Sequence, residues 1–517
     1  MSDTPKIREH QESTAAAAMA IVFFTLLSKG IGFLREMVIA GFFGTSYIVD
    51  AFVMAQSIPG MLLGGIFASL GSAYMPTFSE IVEKKGKEAG DRFTSEILNA
   101  ATIFAIAVFA LGALFARPLV SFIARDFSAE TAELTVFYLR ITFAYTIFSC
   151  GASILDAYLQ YRGKYLKPIV GGYFQNIGVI VVAVISAYTS CRYLATGFLF
   201  GYLMRYLFIL LAAKRNGFCY RPYFALNEPV KEIAVLAMPV FLGTCFSQLN
   251  AFVDKTLASG LQEGIIAALN YGMLLVQLIT GLASAVVVAV IYPKITRARN
   301  NGDLDFFNRA AENGMTTLFL ICLPFELGAM AFADEVVQVV YERGAFDPSA
   351  TVLTGAAFFY YAIGLVFIAL SDFLVYLYYS MRDMKTPVFC GAVGVIINIG
   401  LNLLLVGSMA HRGLALATSA AAAVTFFMRY FLLRRKHPEV RILYEKGKLV
   451  KITIAAILAV AAAVILHTGL VSWIWMPRLI YLMIAVFAAM LIYAGLLAAM
   501  KVEEIWILKE VFHKRAR

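Results

Sequence analysis

The sequence predicts an all-α polytopic membrane protein with about 14 transmembrane helices, two six-helix lobes followed by a C-terminal helix pair. Three observations carry that expectation: low charge, regularly recurring apolar runs, and basic residues confined to alternate loops. Of 517 residues, 61% are hydrophobic and 15% charged, at a mean hydropathy of +0.78. Soluble domains carry about 25% charged residues.

A span needs roughly 20 mainly apolar residues. Such runs occupy 14–42, 47–78, 96–119, 130–160, 167–189, 193–213, 230–258, 262–293, 312–331, 350–380, 386–408, 412–435, 450–470 and 475–499. The first follows a mixed-charge head and lacks a short apolar core with a small-residue cleavage site, so it reads as a retained span. The net charge of +10 reflects topology rather than nucleic-acid binding, because Lys84, Lys85 and Lys87, then Lys214 and Arg215, then Arg434, Arg435 and Lys436 mark one side. By the positive-inside rule both termini are expected in the cytoplasm, where these loops touch anionic lipid. The six cysteines, Cys150, Cys191, Cys219, Cys245, Cys322 and Cys390, are scattered without CxxC spacing, which predicts neither disulfides nor zinc.

An internal echo recurs at a spacing of about 220 residues, too long for a solenoid. "YMPTFSEIVEKKGKEAGDRF" (74–93) resembles "IYPKITRARNNGDLDFF" (291–307), and the Pro turn of "YRGKYLKPIVGGYFQNIGVI" (161–180) returns in "SMRDMKTPVFCGAVGVIINIG" (380–400). The expected domains are 1–222, 223–440 as its repeat, and 441–517 with two further helices and a basic tail. An even number of spans per repeat keeps both halves in one orientation.

Ionisable groups at bilayer depth are costly unless paired or wet, so each is a functional candidate. Lys29, Arg35, Glu36 and Asp50 interrupt the first two runs. On a helix Lys29 and Glu36 share a face and Arg35 lies roughly 100° away. They fit a cationic wall for an anionic headgroup, or a snorkelling structural pair with Asp50 as a helix cap. Asp254 and Lys255 close the seventh run; Asn398 and Asn402 lie one turn apart in the eleventh and Thr418 in the twelfth. Their oxygens suit an alkali cation, while Asn pairs also serve as interhelical glue. Asp156, Arg140, Arg205, Asp372 and Glu326 are further polar residues in or beside spans. No P-loop, GxGxxG or nucleophile–base pattern is present, which excludes the common enzyme and nucleotide-driven classes.

"GFLREMVIAGFFGTSYIVDAFVMAQSIP" (32–59), "VVYERGAFD" (339–347) and "YYSMRDMKTPVFCGAVGVIINIGLNLLLVGSMAHRGLALATS" (378–419) resemble the MurJ/MviN lipid II flippase family of the multidrug/oligosaccharidyl-lipid/polysaccharide exporter superfamily. The resemblance implies a non-enzymatic flippase of the bacterial cytoplasmic membrane. Undecaprenyl-pyrophosphate-linked peptidoglycan precursor would move from inner to outer leaflet by alternating access, with membrane lipids and cell-wall synthesis enzymes as partners and no cofactor save Na+. It places Arg35 at a cavity arginine, Asp50 at its acidic partner position, and Lys29 where relatives carry arginine. It also implies a sodium site at Asp254, Asn398, Asn402, the Leu414 carbonyl and Thr418. Family arginines are absent where this chain has Gly64 or Gly65, and Met273 and Leu274 replace an Asp-Arg pair. These departures point to a less cationic cavity, hence to another polyprenyl-linked oligosaccharide as the alternative cargo. A non-transporting envelope scaffold is the alternative from outside transport.

Overall fold

Hydrocarbon offers backbone groups no hydrogen-bond partners, so a chain this apolar must satisfy them within its own helices. The computed structural model describes residues 4–221, 248, 250–442, 446–473 and 477–502, where every α or 3-10 element is helical. The chain divides into two compact units, Met1–Ala267 with Arg343–Phe346, and Ala268–Glu342 with Asp347–Arg517.

The first unit contains α1 (Thr4–Phe43), α2 (Tyr47–Lys85), α3 (Lys87–Leu114), α4 (Ala116–Ile123), α5 (Ala129–Tyr161), α6 (Leu166–Tyr188), a 3-10 turn (Cys191–Tyr193), α7 (Thr196–Arg215) and α8, described over 250–259. Helix α5 packs on α2, α3 and α7, and α6 on α1 and α7. An aromatic stack anchors α2 to α3: the Tyr74 ring lies 5.8 Å from Phe93 at an interplanar angle of 11°, and its hydroxyl meets Thr94 Oγ1 at 2.6 Å.

Segment 343–346 completes the end of α1. The last carbonyls of a helix lack intrahelical partners, and here the Ala345 N–H donates to Gly41 O at 2.8 Å. Only glycine fits on either side of this clasp, because a Cβ on Gly44 (φ +63°) would lie 2.3 Å from Ala345 O and one on Gly344 (φ +60°) 2.2 Å from Gly41 O.

The second unit contains α9 (Ile265–Val290, beginning in the first unit), α10 (Tyr292–Asn300), α11 (Leu304–Ala331), α12 (Ala333–Tyr341), α13 (Pro348–Ala362), α14 (Leu365–Ser380), α15 (Lys385–Met409), α16 (His411–Lys436), α17 (Lys446–Trp473) and α18 (Arg478–Ala499). Helices α15 and α16 pair, α14 packs on α11 and α16, and α17 packs on α18 and α11. Phe332, Ala463, Leu482 and Ala485 form a buried patch that seats the last two helices, and Tyr493 donates to Leu320 O at 2.8 Å.

Helix lengths echo one another along the chain. Both α3 and α11 have 28 residues, and a single phenylalanine, Phe115 or Phe332, then turns the chain into a short helix. Among the described residues, eleven helices are long and apolar enough to cross a membrane, or twelve when the bent pair α13 and α14 counts as one span. The expected run 350–380 is that pair, bent by 48°. The run 14–42 lies inside the 40-residue α1, and most of 230–258 falls outside the described residues.

Between α14 and α15 Asp383 organises the turn. Its carboxylate accepts the Lys385 and Thr386 N–H groups at 3.1 and 3.0 Å and the Thr386 hydroxyl at 2.6 Å. Burial pushes the carboxyl up, but the Thr386 and His437 donors outweigh it and hold the group below the usual aspartate range. A carboxyl depressed in the folded state stabilises above its unfolded pKa of about 3.9, and that contribution fades as pH falls through the folded value. Asp383→Ala is therefore expected to cost about 1 kcal/mol at pH 7, with the difference in Tm from wild type shrinking below about pH 4. Thermal melts at pH 7 and pH 3.5 in detergent check this; a constant difference contradicts the charged cap.

Candidate functional site

Arg35 is held from three helices. Its Nε donates to Glu36 Oε1 at 3.0 Å and its Nη2 pairs with the same oxygen. Its Nη1 donates to Asn176 Oδ1 on α6 at 3.0 Å, and Asn176 is itself oriented by donating to Gly172 O at 3.0 Å. The guanidinium carbon stands 5.7 Å from the centre of the Phe198 ring on α7, within cation–π range. Glu36 is 4% exposed, whereas Arg35 keeps 18% of its side chain accessible. A buried carboxylate beside the arginine thus fixes the fork while leaving one edge open. Lys29, earlier on α1, is exposed.

Asp50 does something the sequence points to only in kind. It is 3% exposed, and its two oxygens accept the Gly264 N–H at 2.6 Å and the Ala267 N–H at 2.8 Å. These lie at the N-terminus of α9, so Asp50 caps a helix 214 to 217 residues away in the chain rather than its own. Helix α2 begins after Ser46, whose side chain makes no capping bond. The interaction combines orphan amides with the positive end of a helix dipole.

A cavity of about 260 Å³ adjoins this cap, lined by Asp50, Asp126, Ser128, Thr131, Ser259 and Glu263 among others. The Ser128 hydroxyl donates to Glu263 Oε1 at 3.0 Å. Three carboxylates in its lining disfavour an anionic headgroup there.

The candidate cation ligands of the second unit converge. Asn402 Nδ2 donates to Asn398 Oδ1 at 2.7 Å, Asn398 Nδ2 to Thr418 Oγ1 at 3.3 Å, and Thr418 Oγ1 to Leu414 O at 3.1 Å. Asn398 and Asn402 are 2% and 0% exposed. The donor set is all oxygen and nitrogen of neutral groups, joined in one chain across α15 and α16, and its oxygens fit the hard-ligand chemistry of an alkali cation. Asp254 lies on α8 of the first unit. Among the described residues no group of three or more His, Cys, Asp or Glu side chains could hold a metal ion.

The residues that receive Arg35 have no clear sequence signal. Asn176 and Phe198 sit in ordinary apolar runs, and only tertiary packing brings them to Arg35. Lys255, next to Asp254 on α8, donates to the Ser57 hydroxyl of α2. Asp156 pairs with Arg205 at 2.7 Å, and Arg205 also donates to Gln175 Oε1 at 3.1 Å. In the second unit Arg429 donates to the Ser371 carbonyl at 3.1 Å and hydroxyl at 2.7 Å, beside Asp372.

Comparison with known proteins agrees with this architecture. The chain is 26% identical over 430 residues to a probable lipid II flippase MurJ of Rickettsia prowazekii, covering 81% of this chain and 84% of that protein. With a probable lipid II flippase MurJ of Thermotoga maritima it shares 28% identity, over 88% and 90% of the two chains. A solved lipid II flippase MurJ in an inward closed conformation superposes with a TM-score of 0.80 at 22% identity, over 92% and 98% of the chains. An inward-facing multidrug-resistance MATE transporter reaches 0.67 at 14% identity, over 82% and 98%. Both structures share the fold. The family model described as lipid II flippase MurJ matches residues 39–493, and with helices of this number and kind the chain belongs to that family of multi-pass bacterial inner-membrane proteins, transporters rather than enzymes.

Proposed function

We propose that the chain flips undecaprenyl-pyrophosphate-linked peptidoglycan precursor from the inner to the outer leaflet, by alternating access of a six-helix lobe 1–222 and its repeat 223–440. The observation that carries this reading is the family match across residues 39–493. The physics fits the cargo. A polyprenyl tail stays in lipid, while pyrophosphate, sugars and peptide need a polar passage, since an unpaired charge in hydrocarbon costs several kcal/mol. In this reading both termini are cytoplasmic, residues 441–517 add a helix pair and a basic tail, and cell-wall synthesis enzymes hand over or receive the cargo.

Arg35 and Lys29 hold the pyrophosphate. Arg35 is pre-set by Glu36 and Asn176 and presents a bidentate fork, whereas Lys29 offers a mobile point charge. Glu36 orients the arginine, and Asp50 acts through the α9 terminus that it caps. Asn398, Asn402, the Leu414 carbonyl and Thr418, with Asp254 as the acidic member of the set, would hold Na+, which would supply electrostatic attraction to these oxygens. A second reading is favoured by glycine at 64 and 65 and leucine at 274. With fewer cationic side chains the cargo is a different polyprenyl-linked oligosaccharide.

Complementation of a flippase-depleted bacterium separates these readings, scored by exposure of lipid II at the outer leaflet. Wild type is expected to rescue, Arg35→Ala to lose at least tenfold of the exposure at matched expression, the scale of about 1.4 kcal/mol or more lost from a charged hydrogen bond. Failure of well-expressed wild type moves the assignment to the other glycan. Asp50→Ala is expected to lower stability by about 1–3 kcal/mol by stranding two buried N–H groups, with Asp50→Asn, which keeps one acceptor, intermediate; equal Tm values for all three proteins exclude the cap as a stabilising contact. Na+ is expected to raise the Tm of wild type relative to K+ by mass action and to leave Thr418→Ala unmoved. An identical Na+ response in the variant removes the cation assignment.

A further inference from the structure

The spans that the spacing of the internal echo aligns at 129–161 and 348–380 differ in continuity. In the first unit α5 runs unbroken for 33 residues, Ala129–Tyr161. In the second unit the run 348–380 parts at Ile363 and Gly364 into α13 and α14, which meet at 48°. A break in mid-span frees carbonyls at the end of one helix and N–H groups at the start of the next, and lipid cannot satisfy them.

Two side chains meet these needs from opposite sides. The Ser419 hydroxyl, on α16 and 1% exposed, donates to Tyr360 O at 2.7 Å and lies 3.1 Å from Tyr361 O. Glu326 Oε2, on α11, accepts the Val366 N–H at 2.8 Å in the first turn of α14, where a carboxylate also complements the helix dipole. The backbone approaches α16 so closely that a Cβ on Gly364 would lie 2.7 Å from Ser419 Cα. The first half supplies the internal control. Helix α3 has the same length as α11, and at the position matching Glu326 it carries Phe109. Where the carboxylate is missing, the matching span is unbroken.

We propose that the α13–α14 joint is a hinge whose angle is set by side chains, with Glu326 and Ser419 as its positioning residues and Gly364 as the pivot. The bend is therefore not a property of the Ile363–Gly364 backbone alone. Each residue holds one half of the span, and release of either lets α13 swing toward continuity with α14. The inference goes beyond cargo translocation and its readout needs no cargo, so the failure of the flippase reading leaves it standing.

Pulsed electron paramagnetic resonance on the full chain in lipid nanodiscs tests it, with spin labels at the exposed positions Val352 on α13 and Tyr379 on α14. Straightening a bend of this size lengthens their separation by about 3 Å at a rise of 1.5 Å per residue. Glu326→Leu and Ser419→Ala are each expected to shift or broaden the distribution toward longer distances, while Glu326→Gln, whose amide oxygen still accepts the Val366 N–H, retains the wild-type distance. Wild-type distributions in both Glu326→Leu and Ser419→Ala overturn the proposal, and so does a Gln variant that shifts as far as the Leu variant. Ser419→Ala removes only a hydroxyl and carries the test should Glu326→Leu not accumulate.

Discussion

The constraint on which this structure depends is that backbone amides in hydrocarbon have no solvent to fall back on. It explains the long uninterrupted helices, and it also explains how the interruptions are made. At Phe115 and Phe332 the chain turns while retaining backbone bonds on each side: Phe115 N–H reaches Leu111 O, Leu119 N–H reaches Phe115 O, and Phe332 repeats the pattern with Gly328 and Val336. At the Gly364 joint backbone bonds also remain, from Gly364 N–H to Tyr361 O and from Ile368 N–H to Gly364 O, and side chains from α11 and α16 add to them. At the end of α1 the partner is a backbone N–H from a segment 300 residues on in the chain. Polar side chains that look anomalous in an apolar sequence are thus often the groups that make irregular backbone affordable.

The same constraint made the fold legible. Spans announce themselves by apolar length alone, and shared Pro and charged-turn positions at a spacing of about 220 residues point to an internal repeat. The breaks were not legible. The run 350–380 has unbroken hydropathy, and nothing local separates Ile363 and Gly364 from any other glycine-containing span; the bend depends on Glu326 and Ser419, 37 and 56 residues distant from Ile363 and Ile363's neighbours in no sequence window. Tertiary capping leaves no periodic signal.

The candidate site was legible in its members and not in their pairing. A charged residue in an apolar run is conspicuous, so Lys29, Arg35, Glu36 and Asp50 stand out. Which partner each takes is decided by helices elsewhere: Asn176 and Phe198 receive Arg35, and the start of α9 receives Asp50. The oxygen set on α15 and α16 was more readable because Asn398 and Asn402 lie one turn apart on a single helix, and the short α15–α16 connection, a single residue Ala410, forces Thr418 alongside them. Local spacing is written in sequence; cross-chain partners are not.

The clasp at the end of α1 has a consequence for how the polypeptide can be divided. Residues 343–346 belong spatially with the first unit, although they are encoded within the second half. A gene cut at the midpoint yields an N-terminal fragment whose first helix ends on an unanswered Gly41 carbonyl and a vacant seat for the buried Phe346. A segment from the second half of the sequence thereby packs as part of the first unit, so a cut at the midpoint of the chain does not coincide with a boundary of the fold.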